Sequence, residues 1–209
     1  MLIVSWNIQY GVETERAAEE LLAQDATRDV DVLLLQEMDE EGTASIADAL
    51  SANYAYTSPA PHSHTGRDFG NAVVTPWPIR NSAEIPLPHQ ASVSGQPRSA
   101  THALVRVDDR DISVYSVHTE IPSLRLARRI EQFDTVAADI GERHHDHVVV
   151  GGDFNTVTSR GVRALTASMA TAGLQRVSAE LGSSFRRLGR DLMLDHVFSA
   201  GFEVLAAGV

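Results

Sequence analysis

The chain has 209 residues, 43% of them hydrophobic, enough for one domain with a full apolar core. It has no cysteine, which excludes disulfides, a thiolate metal centre and a thiol nucleophile. A formal net charge of −11 excludes a broad DNA-coating surface, although a local arginine patch beside a divalent cation would still serve a phosphate. All 17 basic residues are arginine, the side chain suited to bidentate phosphate contacts, although a total lack of lysine reads first as codon bias. The opening Leu2-Ile3-Val4 is too short for a signal peptide or a membrane span and runs straight into polar Ser5-Trp6-Asn7. The expectation is a soluble, cytoplasmic protein.

Leu2 to Ile8 reads as a strand ending at Asn7. Residues 14 to 25 read as a helix, with Thr14 as N-cap and Ala18, Leu21 and Leu22 on its apolar side. Val30 to Gln36 is a second strand, with Glu37 at its end. The middle, residues 53 to 107, is rich in turns. It holds a loop at 58 to 64, a strand from Gly70 to Val74, an exposed loop at 86 to 97 and a strand from Ala100 to Val107. Ile112 to Val117 is a strand ending at His118. Pro122 and Ser123 open a helix with Leu126, Ile130, Phe133, Ala137 and Ile140 on one face. Val148 to Val150 is a strand, 160 to 172 a helix, and Leu192 to Phe198 a strand.

Two β-α-β units stand out, and each ends its strands on polar residues: Asn7, Glu37, His118 and Asp153. Right-handed crossovers make such paired strands parallel and put their polar ends on one side. The stretch His147 to Asn155 shows the pattern most sharply. Three valines read as a strand buried on both faces, and two glycines let the backbone approach something closely. Asp153 and Asn155 then supply charge and amide donors of the kind that hold a metal-bound phosphate. The same pentapeptide also reads as a turn capping the next helix.

Taken in order, Ser5-Trp6-Asn7-Ile8, Leu35-Gln36-Glu37, Gly70-Asn71-Ala72-Val73, Val117-His118-Thr119, Gly152-Asp153-Phe154-Asn155 and Leu194-Asp195-His196-Val197-Phe198 resemble the motif set of the endonuclease/exonuclease/phosphatase (DNase I-like) superfamily. The resemblance implies an α/β fold, a four-layer αββα sandwich of two mixed β-sheets flanked by helices, as a single domain over residues 1 to 209. It implies a Mg²⁺-dependent phosphoric ester hydrolase, with Mn²⁺ as a substitute. The substrate would be a phosphate ester of a nucleic acid or a small molecule, and no membrane would be involved. Glu37 resembles the principal metal carboxylate, with Asn7 and Asp153 beside it. In the catalytic set, Asp153 would orient the attacking water, Asn7 and Asn155 would grip the phosphate, and His118 would serve the leaving oxygen.

One departure stands against the resemblance. The family ends in a Ser-Asp-His segment and a last strand, and no Ser-Asp-His is present here. Asp195-His196 matches an earlier motif instead, which makes Asp195 a supporting catalytic residue and His196 a structural one. The chain is therefore expected to be truncated at its C-terminus and to lack the last strand. If it is complete, weak or absent catalysis is expected. The leading reading is a phosphodiesterase or nuclease-like hydrolase with in-line water attack on phosphorus; the alternatives are a phosphomonoesterase of a small metabolite or lipid head group and a non-catalytic binding module. Arg98 is expected to support the site, while Glu120 is read as a cap or a solvent-facing acid. The loop residues His62, His64 and Arg67 are read as substrate contacts or as a mobile polar loop. His144, His145 and His147 are read as a solvated turn remote from the crevice, and Arg186, Arg187 and Arg190 as a phosphate rim or a solvated cluster.

Overall fold

Alternation along single strands decides the layering. In the strand Val32–Met38, Leu33 and Leu35 face one apolar cluster while Val32 and Leu34 face another. In Val148–Asp153, Val148 and Val150 face a third cluster while Val149 joins Val32 and Leu34. Strands buried on both sides are the centre of a sandwich, and three clusters between four layers are what an αββα arrangement requires. The computed structural model of the chain describes residues 1–63, 65–179, 181–187 and 190–209.

The elements run β1 (Ile3–Asn7), α1 (Thr14–Ala23), β2 (Val32–Met38), α2 (Glu40–Ala49), β3 (Asn53–Thr57), β4 (Gly70–Thr75), β5 (Ile79–Pro86), β6 (Ser99–Val107), β7 (Arg110–His118), α3 (Leu126–Arg143), β8 (Val148–Asp153), α4 (Ser159–Thr171), β9 (Gln175–Arg176), β10 (Phe185–Arg187), β11 (Arg190–Leu192) and β12 (Asp195–Ala200). One sheet has the order β1-β2-β4-β3 and the other β5-β6-β7-β8-β12-β9. Within them β1 with β2 and β7 with β8 are parallel. These are the two pairs expected from the β-α-β units. Helices α1 and α2 cover the first sheet through Ala17, Leu21 and Ile46. Helices α3 and α4 cover the second through Phe133, Val136, Leu165 and Met169.

Several local expectations need correction. Glu13, not Thr14, is the N-cap of α1, and its side chain makes no capping bond. Helix α3 starts at Leu126 rather than at Pro122, because the Leu124 N–H first closes a turn on the Ile121 carbonyl. The strand expected over 192 to 198 is two elements, interrupted where the Ser184 hydroxyl accepts the Leu194 and Asp195 N–H groups. Helix α2 had no apolar stripe to announce it; Asp39 caps it through the Gly42 N–H at 2.8 Å. Strands β3 and β5 lie at sheet edges, β5 mostly exposed and β3 only partly buried, and neither shows a clear apolar alternation.

The glycine pair before Asp153 does bring backbones close. Gly152 has φ 151°, and a Cβ there would sit 1.9 Å from the Val117 carbonyl oxygen on β7. Gly141 in α3 is the opposite case, with open space where its Cβ would be. Gly152→Ala is expected to cost about 3 kcal/mol in urea unfolding, whereas Gly141→Ala gains up to about 1 kcal/mol. Equal effects of the two substitutions would contradict this backbone packing.

Candidate active site

The first half of the site comes from the first sheet. Asn7 ends β1 opposite Gln36 of β2. Glu37 does not follow the strand but sits inside it, at a bulge where the register shifts between Gln36 and Met38. Its φ is 59°, a left-handed conformation that turns the carboxylate out of the ladder. The Asn7 Nδ2 group donates to Glu37 Oε1 at 3.1 Å. Glu37 Oε2 accepts the Tyr10 N–H at 3.2 Å.

The second half comes from the other sheet. His118, Asp153 and Asp195 lie side by side across β7, β8 and β12. The same Asn7 Nδ2 that holds Glu37 also donates to Asp153 Oδ2, at 3.2 Å. His118 Nε2 stands 3.8 Å from Glu37 Oε1 and 3.9 Å from Asp153 Oδ2. Asn7, Glu37, His118 and Asp153 therefore do meet at one place, Glu37 from a bulge rather than a strand end. Asn7 Oδ1 accepts the Gln9 N–H at 3.0 Å, so its amide nitrogen is the atom turned to the acids.

Asn155 and Asp195 differ from that inner group. The Asn155 side chain donates to the Thr119 carbonyl at 3.1 Å, and its N–H donates to Asp153 Oδ1 at 2.8 Å. It locks the Asp153 turn, with φ 52° of its own. Asp195 Oδ1 is buried without a hydrogen-bond partner among the described residues. Burial, and then the Asp153 charge directly across the strand pair, push the Asp195 carboxyl up to about 7. Asp153 is raised too, mainly by burial and against the bonds it receives from Asn155 and Asn7.

Positive charge reaches the site through Arg98. Its Nη1 lies 3.1 Å from both ring nitrogens of His118. Burial first, and Arg98 second, lower the His118 pKa well below its usual value, so the ring is neutral at pH 7. Arg98 is placed by Phe69, whose ring it covers at 5.2 Å, and by Glu120 Oε1 at 3.7 Å. Glu120 is thus not a solvent-facing acid: it is fully buried and accepts the Ala91 N–H and the Ser94 hydroxyl, each at 2.9 Å. Arg129 is a supporting residue that the sequence reading missed. It is buried, and its Nη2 clamps the Phe154 and Asn155 carbonyls at 2.9 and 2.7 Å. The signal was an arginine set within the apolar stripe of α3, four residues before Phe133.

The remaining candidates fall away from the chemistry or beside it. His196 is fully buried and paired with the Thr156 hydroxyl at 2.6 Å, a structural residue as expected. Asn71 is buried and donates to the Ser99 carbonyl at 2.8 Å. Arg67 is tied to Asp39 and so pins its loop to the start of α2. His64 lies outside the described residues, as do the side chains of residues 186, 187 and 190. His147 packs edge-on against Phe202 before β8 begins, at the strand end away from Asp153.

The sequence matches the Endonuclease/Exonuclease/phosphatase family over residues 4–209. The chain belongs to that family. It is similar to a UPF0294 protein of Yersinia pseudotuberculosis, 26% identical over 208 residues that make up 99% of this chain and 76% of the relative. Its fold is similar to that of a humanized D. rerio TDP2, at 19% identity and TM-score 0.72, over 95% of this chain and 82% of that one. It is also similar to a Staphylococcus aureus beta toxin mutant with bound magnesium ions, at 15% identity and TM-score 0.73, over 95% of this chain and 83% of that one. The αββα sandwich of two mixed sheets expected from the sequence is thereby shared with solved members of this fold. Family members are hydrolases of phosphoester bonds and include nucleases, phosphodiesterases and phosphatases.

The side chains at the centre are oxygen donors of the kind a magnesium ion takes. Among the described residues no three His, Asp or Glu side chains form a metal cage. Magnesium does not need one: it keeps several waters and takes one or two carboxylates plus substrate oxygens. Glu37, Asp153 and Asp195 crowd together, Asp153 feels the charges of Arg98 and Arg129, and Asp195 Oδ1 has no hydrogen-bond partner among the described residues.

Acid crowding has a measurable signature. Between about pH 4 and 7 the folded state holds a proton on Asp195 that the unfolded state has lost, so stability falls as pH rises through that window. In EDTA, Asp195→Asn is expected to stabilise the protein relative to wild type. The gain should grow by on the order of 2 kcal/mol between pH 5 and pH 8 in thermal melts. A gain that does not change with pH would contradict the Asp153–Asp195 crowding.

Proposed function

We propose that the chain is a Mg²⁺-dependent phosphodiesterase, with Mn²⁺ as a substitute metal. The observation that supports this reading is the single amide of Asn7 bonded to Glu37 and Asp153, carboxylates from two different sheets. Two acids drawn to within one amide of each other, beside a buried arginine, form a site for a cation and an anion together. Glu37 and Asp153 would hold the ion, with Asn7 bonded to both and keeping them together. When bound, the ion supplies neutralisation of phosphate charge.

The chain's own groups account for the rest of the chemistry. Asp153 has one oxygen fixed by the Asn155 N–H and the other turned toward Asn7 and His118, which suits it to orient an attacking water. Neutral His118 offers an N–H rather than a full proton, so its role is to stabilise charge on the phosphate or leaving oxygen. Arg98, held behind His118 by Glu120, adds fixed positive potential to the same side. Asn155 and Arg129 keep the Asp153 turn rigid. Asp195 stands directly across the strand pair from Asp153 and crowds it.

Hydrolysis of bis-p-nitrophenyl phosphate measures the reading directly. Wild type is expected to be active with Mg²⁺, to lose activity in EDTA, and to lose at least about 100-fold in Glu37→Ala. Activity that survives both EDTA and Glu37→Ala would overturn the mechanism.

A further inference from the structure

The rim of the site carries an aromatic track whose members beyond His118 the phosphate chemistry leaves unused. It begins at His118, 5.8 Å from the ring of Phe69. His62 follows, 5.0 Å from Phe69. Tyr10 ends the track, edge-on to His62 at 4.8 Å and 5.9 Å from Phe69. Phe69 is 5% exposed and Tyr10 is 43% exposed, so the track leads from the reacting centre to solvent.

Tyr10 is also held in an unusual backbone. Gln9, Tyr10 and Gly11 have φ of 38°, 65° and 58°, a left-handed turn in which non-glycine residues are uncommon. Such a turn persists only where its surroundings fix it. Here Asn7 Oδ1 accepts the Gln9 N–H, Glu37 Oε2 accepts the Tyr10 N–H, and the Ile8 carbonyl accepts the Gly11 N–H. Two of those three partners are side chains of the candidate metal site. The position of the exposed tyrosine is therefore set by the same groups that would place the phosphate.

We propose that Tyr10, backed by His62, is a specificity-determining face that stacks on a planar aromatic ring carried by the substrate next to its phosphate. The location of the phosphate rests on the function proposed above. Tyrosine offers a flat, rigid apolar face with few rotatable bonds, and Phe69 and His62 stop that face from folding away. A nucleobase and a phenolic group share the chemistry that this face would recognise.

Equilibrium binding separates these cases without relying on turnover. Calorimetry with Mg²⁺ compares thymidine 5′-phosphate with 2-deoxyribose 5-phosphate, and phenyl phosphate with ethyl phosphate. In at least one pair the ring-bearing ligand is expected to bind about tenfold more tightly. The preference should disappear in Tyr10→Ala and persist in Tyr10→Phe. Tyr10→Gly, which relaxes the left-handed backbone, should lose it as Ala does and serves if Ala fails to fold. The pair that shows the preference identifies the source of the ring. No preference in either pair, including no binding, or a preference that survives loss of the ring, overturns the inference. A ring preference without diester hydrolysis would instead overturn the proposed phosphodiesterase and leave Tyr10's role standing.

Discussion

One amide holds this site together. Asn7 at the end of β1 donates to Glu37 in its own sheet and to Asp153 in the other. That contact requires the two sheets to approach closely beneath it. Gly151 provides the room, since a Cβ there would lie 2.6 Å from Leu34 Cδ1 of the facing sheet. The approach is fixed by buried polar links between the sheets, one at Asn71 and one at Ser116. Ser116 on β7 donates to the Leu35 carbonyl at 2.8 Å and accepts from Gln36 Nε2 at 3.0 Å. Each such bond contributes only about 1 kcal/mol net, but leaving either partner unpaired would cost more. The links therefore fix one relative placement of the sheets, and the acids inherit it.

The site is built against the grain of stability. Like charges directly opposite in a strand pair repel, yet Asp153 and Asp195 occupy such positions. Left-handed residues are costly, yet Glu37 and Asn155 adopt that conformation at the two ends of the site. The surroundings offset these costs: Arg129 clamps one turn, the Tyr10 N–H satisfies Glu37, and the buried Arg98–Glu120 pair brings a cation to His118. Crowded acids and fixed, strained turns are the arrangement expected where a cation and a phosphate supply the missing attraction.

Much of this was legible in the sequence, for identifiable reasons. Leu33 to Leu35 and Val148 to Val150 have to be buried on both faces, and that alone places them at the middle of a layered fold. Their polar ends then fall on one rim by the geometry of parallel pairs, which is why Asn7, Glu37, His118 and Asp153 could be named beforehand. What escaped depended on long-range contacts. Glu120 reads as a surface acid until Ala91, Ser94 and Arg98 close around it. The bulge at Glu37 leaves no mark on composition, and Tyr10 becomes notable only when Phe69 and His62, some fifty residues later, stand beside it.

The central claim is that Glu37 and Asp153, distant in sequence, share one divalent cation. Crystals soaked in Mn²⁺ and measured for anomalous scattering test it most directly. The expected result is a manganese peak between the two carboxylates, lost in Glu37→Gln crystals treated in the same way. A peak only elsewhere, such as at the His144–His147 turn, or no peak at all, would contradict the account.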